Sequence, residues 1–245
     1  TGSVLANSAT TGSTNLDVTA AITVVESSAV VRVQGTTDIS SAGALRLNAA
    51  REVDVTTTAD GTAGGSTALG AGAALAFIDG TSEAYLAGSG SVSNATSITI
   101  SSASDDGVTT TAMATPNGAG PTGLDANTLI NTIIGLVNTF TTPLGLIIPT
   151  VTLPSLPSGD FGVAAALGFT KLDSTTEAYL TSDGALTTAG NLTLTAADDT
   201  DSQTLAIAST VDGTLVNDEV GAAAAINLVD AVNEASIGGS PDITA

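Results

Sequence analysis

The sequence predicts an all-β fold, a right-handed parallel β-helix (solenoid) with one inserted apolar helix-plus-extended flap. Three observations carry that expectation. One cassette recurs along the chain, its apolar residues alternate with period two, and aromatic residues make up only 2% of 245 residues, with no Trp. An ordinary globular core of this size relies on large aromatics to fill its middle, whereas a thin core of Val, Ile, Leu and Ala suits stacked layers.

The recurring unit is clearest within Gly159 to Ala208. Its best-defined part reads ISSAGALRL at 39–47, VSNATSITI at 92–100 and LTTAGNLTL at 186–194, centred on Ala42, Ala95 and Ala189. The copies are 53 and 94 residues apart, and a fourth begins 57 residues on, at Ile243. Upstream pieces recur as well: EAYL at 83–86 and 177–180, then EASI at 234–237. The long spacing is one period of about 55 plus an insertion of roughly 40 residues. This divides the chain into cassettes at about 15–64, 65–114, 159–216 and 217–245, with the insertion at 115–158. The whole of 1–245 is expected to be one β-helix segment of a longer protein, because it opens inside one cassette and stops inside another.

Taken in order, residues 1–14 are rich in Ser, Thr and Gly. From Asn15, Leu16, Val18, Ile22 and Val24 alternate with small and polar residues, the mark of a half-buried strand. Arg32, Arg46 and Asp54 each sit between two apolar residues and should point away from them. Asp60-Gly61, Gly64-Gly65, Asp79-Gly80, Asp106-Gly107 and Asp183-Gly184 read as turns. Strands of about 4 to 7 residues between such turns would make each cassette two or three coils. Ala42, Ala95 and Ala189 would mark corners where the interior narrows. A sandwich of antiparallel hairpins is the competing architecture.

The insertion differs in kind. Residues 125–140 can form a short helix capped by Asp125, with Leu129, Ile133, Leu136 and Phe140 on one face. Pro143, Pro149, Pro154 and Pro157 then force extended chain through Leu146 and Ile147. These six apolar residues are the candidate interaction surface, either packed as a flap on the solenoid or free to grip a partner.

Charge and composition exclude several functions. Twenty-four acids against four bases give a net charge of −20, which opposes binding to nucleic acid or to anionic lipid. No 18-residue apolar run is present, so no helical membrane span is expected. With no His and no Cys, imidazole bases, thiol nucleophiles and disulfides are all missing, and no enzyme is expected. Lys171 beside Asp173 reads as a surface ion pair, and Glu83 and Glu177 as parts of an exposed strand face. Glu52, Asp54, Asp105, Asp106, Asp198, Asp199 and Asp201 fall at or near equivalent positions. Stacked at one corner, the last five would be weak calcium candidates, although they match no established calcium loop. Solvated turns are the plainer reading, and no other cofactor is expected.

The run GVAAALGFTKLDSTTEAYL at 162–180, followed by GALTTAGNLTLTAADDT at 184–200, resembles repeats of very large secreted bacterial β-helix proteins. These are leukotoxin-like and filamentous-haemagglutinin-like adhesins and autotransporter passengers. The resemblance covers nearly the whole chain except 115–158, and it implies secretion, a cell-surface location and no catalytic residues. The expected function is therefore a structural rod segment of an extracellular bacterial fibre or adhesin, in contact with other copies of itself or with cell-surface partners. The alternative is a binding module in which the insert 116–157 or a Thr-rich face grips a protein, carbohydrate or ice.

Overall fold

A computed structural model describes residues 2–12, 15–36, 38–65, 68–117, 131, 135, 138, 142, 162–209 and 219–244. The strands run β1 (Gly2–Gly12), β2 (Asn15–Gly35), β3 (Ile39–Ser40), β4 (Ala44–Gly65), β5 (Ala68–Gly88) and β6 (Val92–Ala95). They continue as β7 (Ser97–Asn117), β8 (Gly162–Ser182), β9 (Ala185–Thr188), β10 (Leu192–Ala208), β11 (Glu219–Ile237) and β12 (Asp242–Thr244). Sheet I has the order β1-β4-β7-β10, sheet II β2-β5-β8-β11, and sheet III β3-β6-β9-β12. Every neighbouring pair is parallel. The chain thus visits the three sheets in a fixed cyclic order and adds one strand to each per circuit, a β-helix-like all-β arrangement. Parallel pairing excludes the hairpin sandwich, since a hairpin joins antiparallel strands.

The sequence repeat is the spatial register. Leu16 lies opposite Leu69, Leu69 opposite Val163, and Val163 opposite Val220. Ala95 closes β6, while Ala42 and Ala189 follow β3 and β9, so all three alanines sit at the corner between sheets III and I. A corner on the opposite flank is set by Gly35 and Gly88, whose φ of 103° and 109° favour glycine.

Each cassette makes one circuit rather than two or three. The expectation failed because most Asp-Gly and Gly-Gly pairs read as turns lie inside long strands; only Asp183-Gly184 lies between strands. At Gly61 and Gly80 the missing side chain serves sheet-to-sheet approach instead of chain reversal. A Cβ on Gly72 would lie 2.2 Å from the Met113 carbonyl oxygen, and one on Gly61 would lie 2.1 Å from that of Ala71.

Sheets I and II lie face to face, and their shared interior changes along the strands in four zones. Where β5 and β8 begin, Ala59, Ala74, Ala112, Ala114, Ala164 and Ala166 hold the sheets close. Next, Val53, Val55, Ile78, Val108 and Leu172 form an aliphatic layer. A polar belt follows. Beyond it the sheets diverge around sheet III, and Leu47, Leu86, Val92, Ile98, Ile100, Leu180 and Leu186 fill the widened space. Side-chain volume therefore tracks the taper, as close packing requires.

Sheet II inverts one expectation. Asp17, Thr19, Ala21 and Thr23 of β2 point inward and are buried, whereas Val18 and Val24 are 50% and 67% exposed. The alternation was read correctly, but its apolar face looks outward. The inner face must stay small to admit sheet I, and on the other face Ile22 joins a cluster with Ala71, Ala73, Leu75, Leu167 and Phe169. The helix expected at 125–140 and the extended run to Pro157 lie outside the described residues, apart from four positions. Asn131, Gly135 and Asn138 have helical backbone, and Thr142 sits in a 3-10 turn. Among the described residues no helix is long and apolar enough to cross a membrane.

Candidate functional site

Two polar features stand out from this apolar frame, one buried and one on the outward face of sheet II. The buried one is the belt. Arg51 on β4 shares its inward parity with Leu47, Ala49, Val53 and Val55, so its guanidinium enters the core. It donates through Nη1 to Asp106 Oδ1 at 2.6 Å and through Nη2 to Asp106 Oδ2 at 2.5 Å, a two-pronged pair at the heart of the molecule. The two side chains are 2% and 0% exposed. Ser174 bridges onward: it receives a bond from Arg51 Nη2 at 3.0 Å and donates to Asp106 Oδ2 at 2.9 Å.

Asp198 extends the belt into the next circuit, accepting from Ser104, Ser174 and Thr200. Ser104 also bonds Thr176 at 2.6 Å, and Ser102 donates to Ser82 at 2.8 Å. Gly80 faces the guanidinium, where a Cβ would fall 2.1 Å from Nη1. The belt thus ties the strands of three circuits through charge-assisted bonds, and the missing side chain at Gly80 makes the room.

The outward feature is a set of ladders. Parallel in-register strands place equivalent residues side by side, about 4.8 Å apart. Glu26, Asp79, Asp173 and Asp230 form one row of carboxylates. Glu83, Glu177 and Glu234 form a second, and Tyr85 and Tyr179 stack beside it with centroids 4.6 Å apart and planes 8° from parallel. Burial raises the Glu177 carboxyl above its ordinary pKa, and the Glu83 and Glu234 charges push the same way. The Tyr179 hydroxyl is likewise raised, first by burial and then by Glu83. Two cations relieve the rows. Lys171 pairs with Asp173, and Arg32 donates to the Tyr85 hydroxyl at 3.4 Å while feeling the charge of Glu83.

Comparison with protein families, curated proteins and solved structures found no match.

The five calcium candidates do not form one set. Asp105, Asp199 and Asp201 are exposed on the outer face of sheet I, where Glu52, Asp105 and Asp199 line up in register. Asp106 and Asp198 point the other way, into the belt, and are engaged by Arg51 and by hydroxyls. Consecutive strand residues face opposite sides, so Asp105 cannot share a cation with Asp106. Among the described residues no group of three or more acidic side chains is placed to hold a metal ion. The interaction candidates Leu129, Ile133, Leu136, Phe140, Leu146 and Ile147 lie outside the described residues. Glu83 and Glu177 stand half-buried on the outward face, and Lys171 meets Asp173 there.

Sequence reasoning placed Glu83 and Glu177 on one strand face and paired Lys171 with Asp173, but it missed the buried belt and the row from Glu26 to Asp230. Aligning the cassettes at their own spacing would have shown the row from Glu26 to Asp230. The inward parity of Arg51 within LRLNAAREVDV at 45–55 was the available signal for the buried pair.

Proposed function

We propose that this chain is a structural segment of an extracellular bacterial fibre or adhesin, built as a right-handed β-solenoid whose repetition is its function. The observation that carries this reading is the parallel pairing of equivalent strands in all three sheets through four circuits, in constant register in sheets I and II and with one register shift between β6 and β9 in sheet III. Such a stack resists bending and shear, because deformation must break many backbone bonds together. Its proportions refine the reading. A 21-residue strand such as β5 spans about 70 Å, whereas four circuits rise only about 15–20 Å. The segment is a broad blade, and additional circuits would turn it into a ribbon of constant width. A net charge of −20 keeps such a flat β surface soluble and self-repelling.

Immunogold labelling of intact cells that produce the protein tests the assignment. Label on surface fibres is expected; label seen only after permeabilisation would overturn it. Electron diffraction from oriented fibres should show an axial repeat of about 4.8 Å, from strands lying across the fibre axis.

A further inference from the structure

The outer face of sheet II is sealed where β5 and β8 begin. Ala71, Ala73, Leu75, Ala165, Leu167 and Phe169 all point outward there, yet none is more than 6% exposed. Outward parity alone does not hide a small side chain. On the outer face of sheet I, Ala50, Ala103 and Ala197 stand in one row across β4, β7 and β10, and all three are exposed. The described apolar residues packed against the sealed patch are Ile22, Phe77, Ala222 and Ile226. They belong to the same face of the same sheet, so they flank the patch without roofing it. The patch lies on the two inner strands of the sheet, away from both ends of the stack. Its burial is that of a single chain, so its cover belongs to this chain.

We infer that the segment 118–161 lies against this patch and seals it, so that its apolar side chains pack on the stack and are not a free adhesive surface. The lengths of the connections say which segment does so. In the first two circuits the passage from sheet I to sheet II takes two residues, Ser-Thr at 13–14 and again at 66–67. In the third circuit the same passage takes residues 118–161 and re-enters the stack at Gly162, at the margin of the patch. The chemistry of the segment matches the surface. Leu129, Ile133, Leu136 and Phe140 stand among other apolar residues, and Asp125 and Asp160 are its only charges. The connection from β10 to β11 is shorter and carries Asp212 and Asp218, whose carboxylates are costly to bury over alanine and leucine. Parallel sheets generally carry cover on both faces. Sheet I covers one face of sheet II, and the segment covers the other. This holds whether or not the chain is part of a fibre.

The chain has no cysteine, so a single introduced thiol reports on its own site. Ala73→Cys lies under the cover, and Ala50→Cys is the exposed control on sheet I. In the folded full chain, the Ala73→Cys thiol should react with a thiol reagent at least about 100-fold more slowly than the Ala50→Cys thiol. Replacing 118–161 by Gly-Ser-Thr restores the connection found at 12–14 and 65–67 and removes the cover. In that variant, once a cooperative urea transition shows it folded, the two thiols should react at rates within about tenfold of each other. Equal rates in the full chain would mean an open patch and overturn the inference. Protection that persists in the shortened chain would overturn it too, and its loss on dilution would assign the cover to a second copy. If the shortened chain does not fold, Leu129→Asp with Phe140→Asp in the full chain decides. That pair should speed labelling of Ala73→Cys at least about tenfold while leaving Ala50→Cys unchanged. An unaltered Ala73→Cys rate would rule out the segment as the cover.

Discussion

Removing Asp106 is the sharpest test of the interior. Asp106→Ala leaves the Arg51 guanidinium buried without a counter-charge, loses two charge-assisted bonds and strips Ser174 of an acceptor. Breaking one partner of a buried pair typically costs about 3–5 kcal/mol, mostly from the uncompensated charge. Replacing both partners should behave differently. Arg51→Met with Asp106→Val removes both charges and borrows the Val53 solution used by the neighbouring strand, so stability should return to within about 1–2 kcal/mol of wild type. Gly80 supplies a third arm. Gly80→Ala drives a methyl into the guanidinium and should cost several kcal/mol in the wild type, but much less beside the flexible methionine. The assay is equilibrium unfolding in urea, followed by far-UV circular dichroism and by Tyr85 and Tyr179 fluorescence, with coincident transitions required before free energies are compared. A loss below about 1 kcal/mol for Asp106→Ala would show that the guanidinium reaches water, and the reasoning would be refuted.

Further expectations follow from the same frame. Asp17 is 2% exposed and neither carboxylate oxygen has a hydrogen-bond partner, while its column mates are Gly70, Ala164 and Gly221; Asp17→Ala should therefore stabilise the protein by about 1–3 kcal/mol, and destabilisation in thermal melts would contradict this. Gly72→Val should destabilise by at least about 3 kcal/mol or abolish the fold, since the obstacle is the Met113 backbone rather than a movable side chain; a wild-type urea midpoint would mean that the sheets are farther apart than described. Glu177 has a raised pKa, so its protonated form is favoured by folding, and the stabilisation present at low pH is lost as pH rises through the folded pKa. Glu177→Gln should accordingly stabilise the protein at pH 7, with the advantage vanishing below about pH 4; urea midpoints measured across pH 3–8 decide it, and a pH-independent difference would argue for a packing effect. Asp38 is shifted the opposite way by the Ser91 hydroxyl and backbone N–H, so Ser91→Ala should weaken the protein above the ordinary aspartate pKa, with the difference fading on acidification.

How far the sequence could be read depends on which contacts repeat. Strand class, repeat spacing and the corner at Ala95 were legible because every circuit restates them in nearly the same letters. The number of circuits per cassette was not. Glycine beside aspartate is a turn signal in most chains, yet at Gly61 and Gly80 the missing side chain answers an obstacle on the opposite sheet or a guanidinium, neither of which is visible in one strand's sequence. The orientation of β2 was hidden for a related reason. Period two shows that the faces differ, but not which face a second sheet will cover. Asp105 and Asp106 looked like a pair and face opposite sides, because adjacency in a strand separates side chains instead of joining them.

That same repetition creates a problem which the polar belt addresses. With columns such as Ile78 and Leu172, or Leu86 and Leu180, the circuits are nearly interchangeable, and a strand could pair one circuit out of place with little loss of apolar burial. Arg51 removes that freedom. In its column stand Ser104 and Asp198, and in the column of Asp106 stand Val53 and Thr200, so only the observed order gives the guanidinium its two-pronged partner. A slip by one circuit would bury the cation against Val or Thr, an error of several kcal/mol. The belt is thus worth little as net stability compared with an apolar fill, and much as discrimination between near-identical layers. The Arg51→Met, Asp106→Val variant separates the two roles: its urea midpoint should stay close to wild type while its refolded population becomes mixed, seen as heterogeneous hydrogen exchange in β4 and β7. A single exchange pattern identical to wild type would show that the long strands set their own order and that the belt does not.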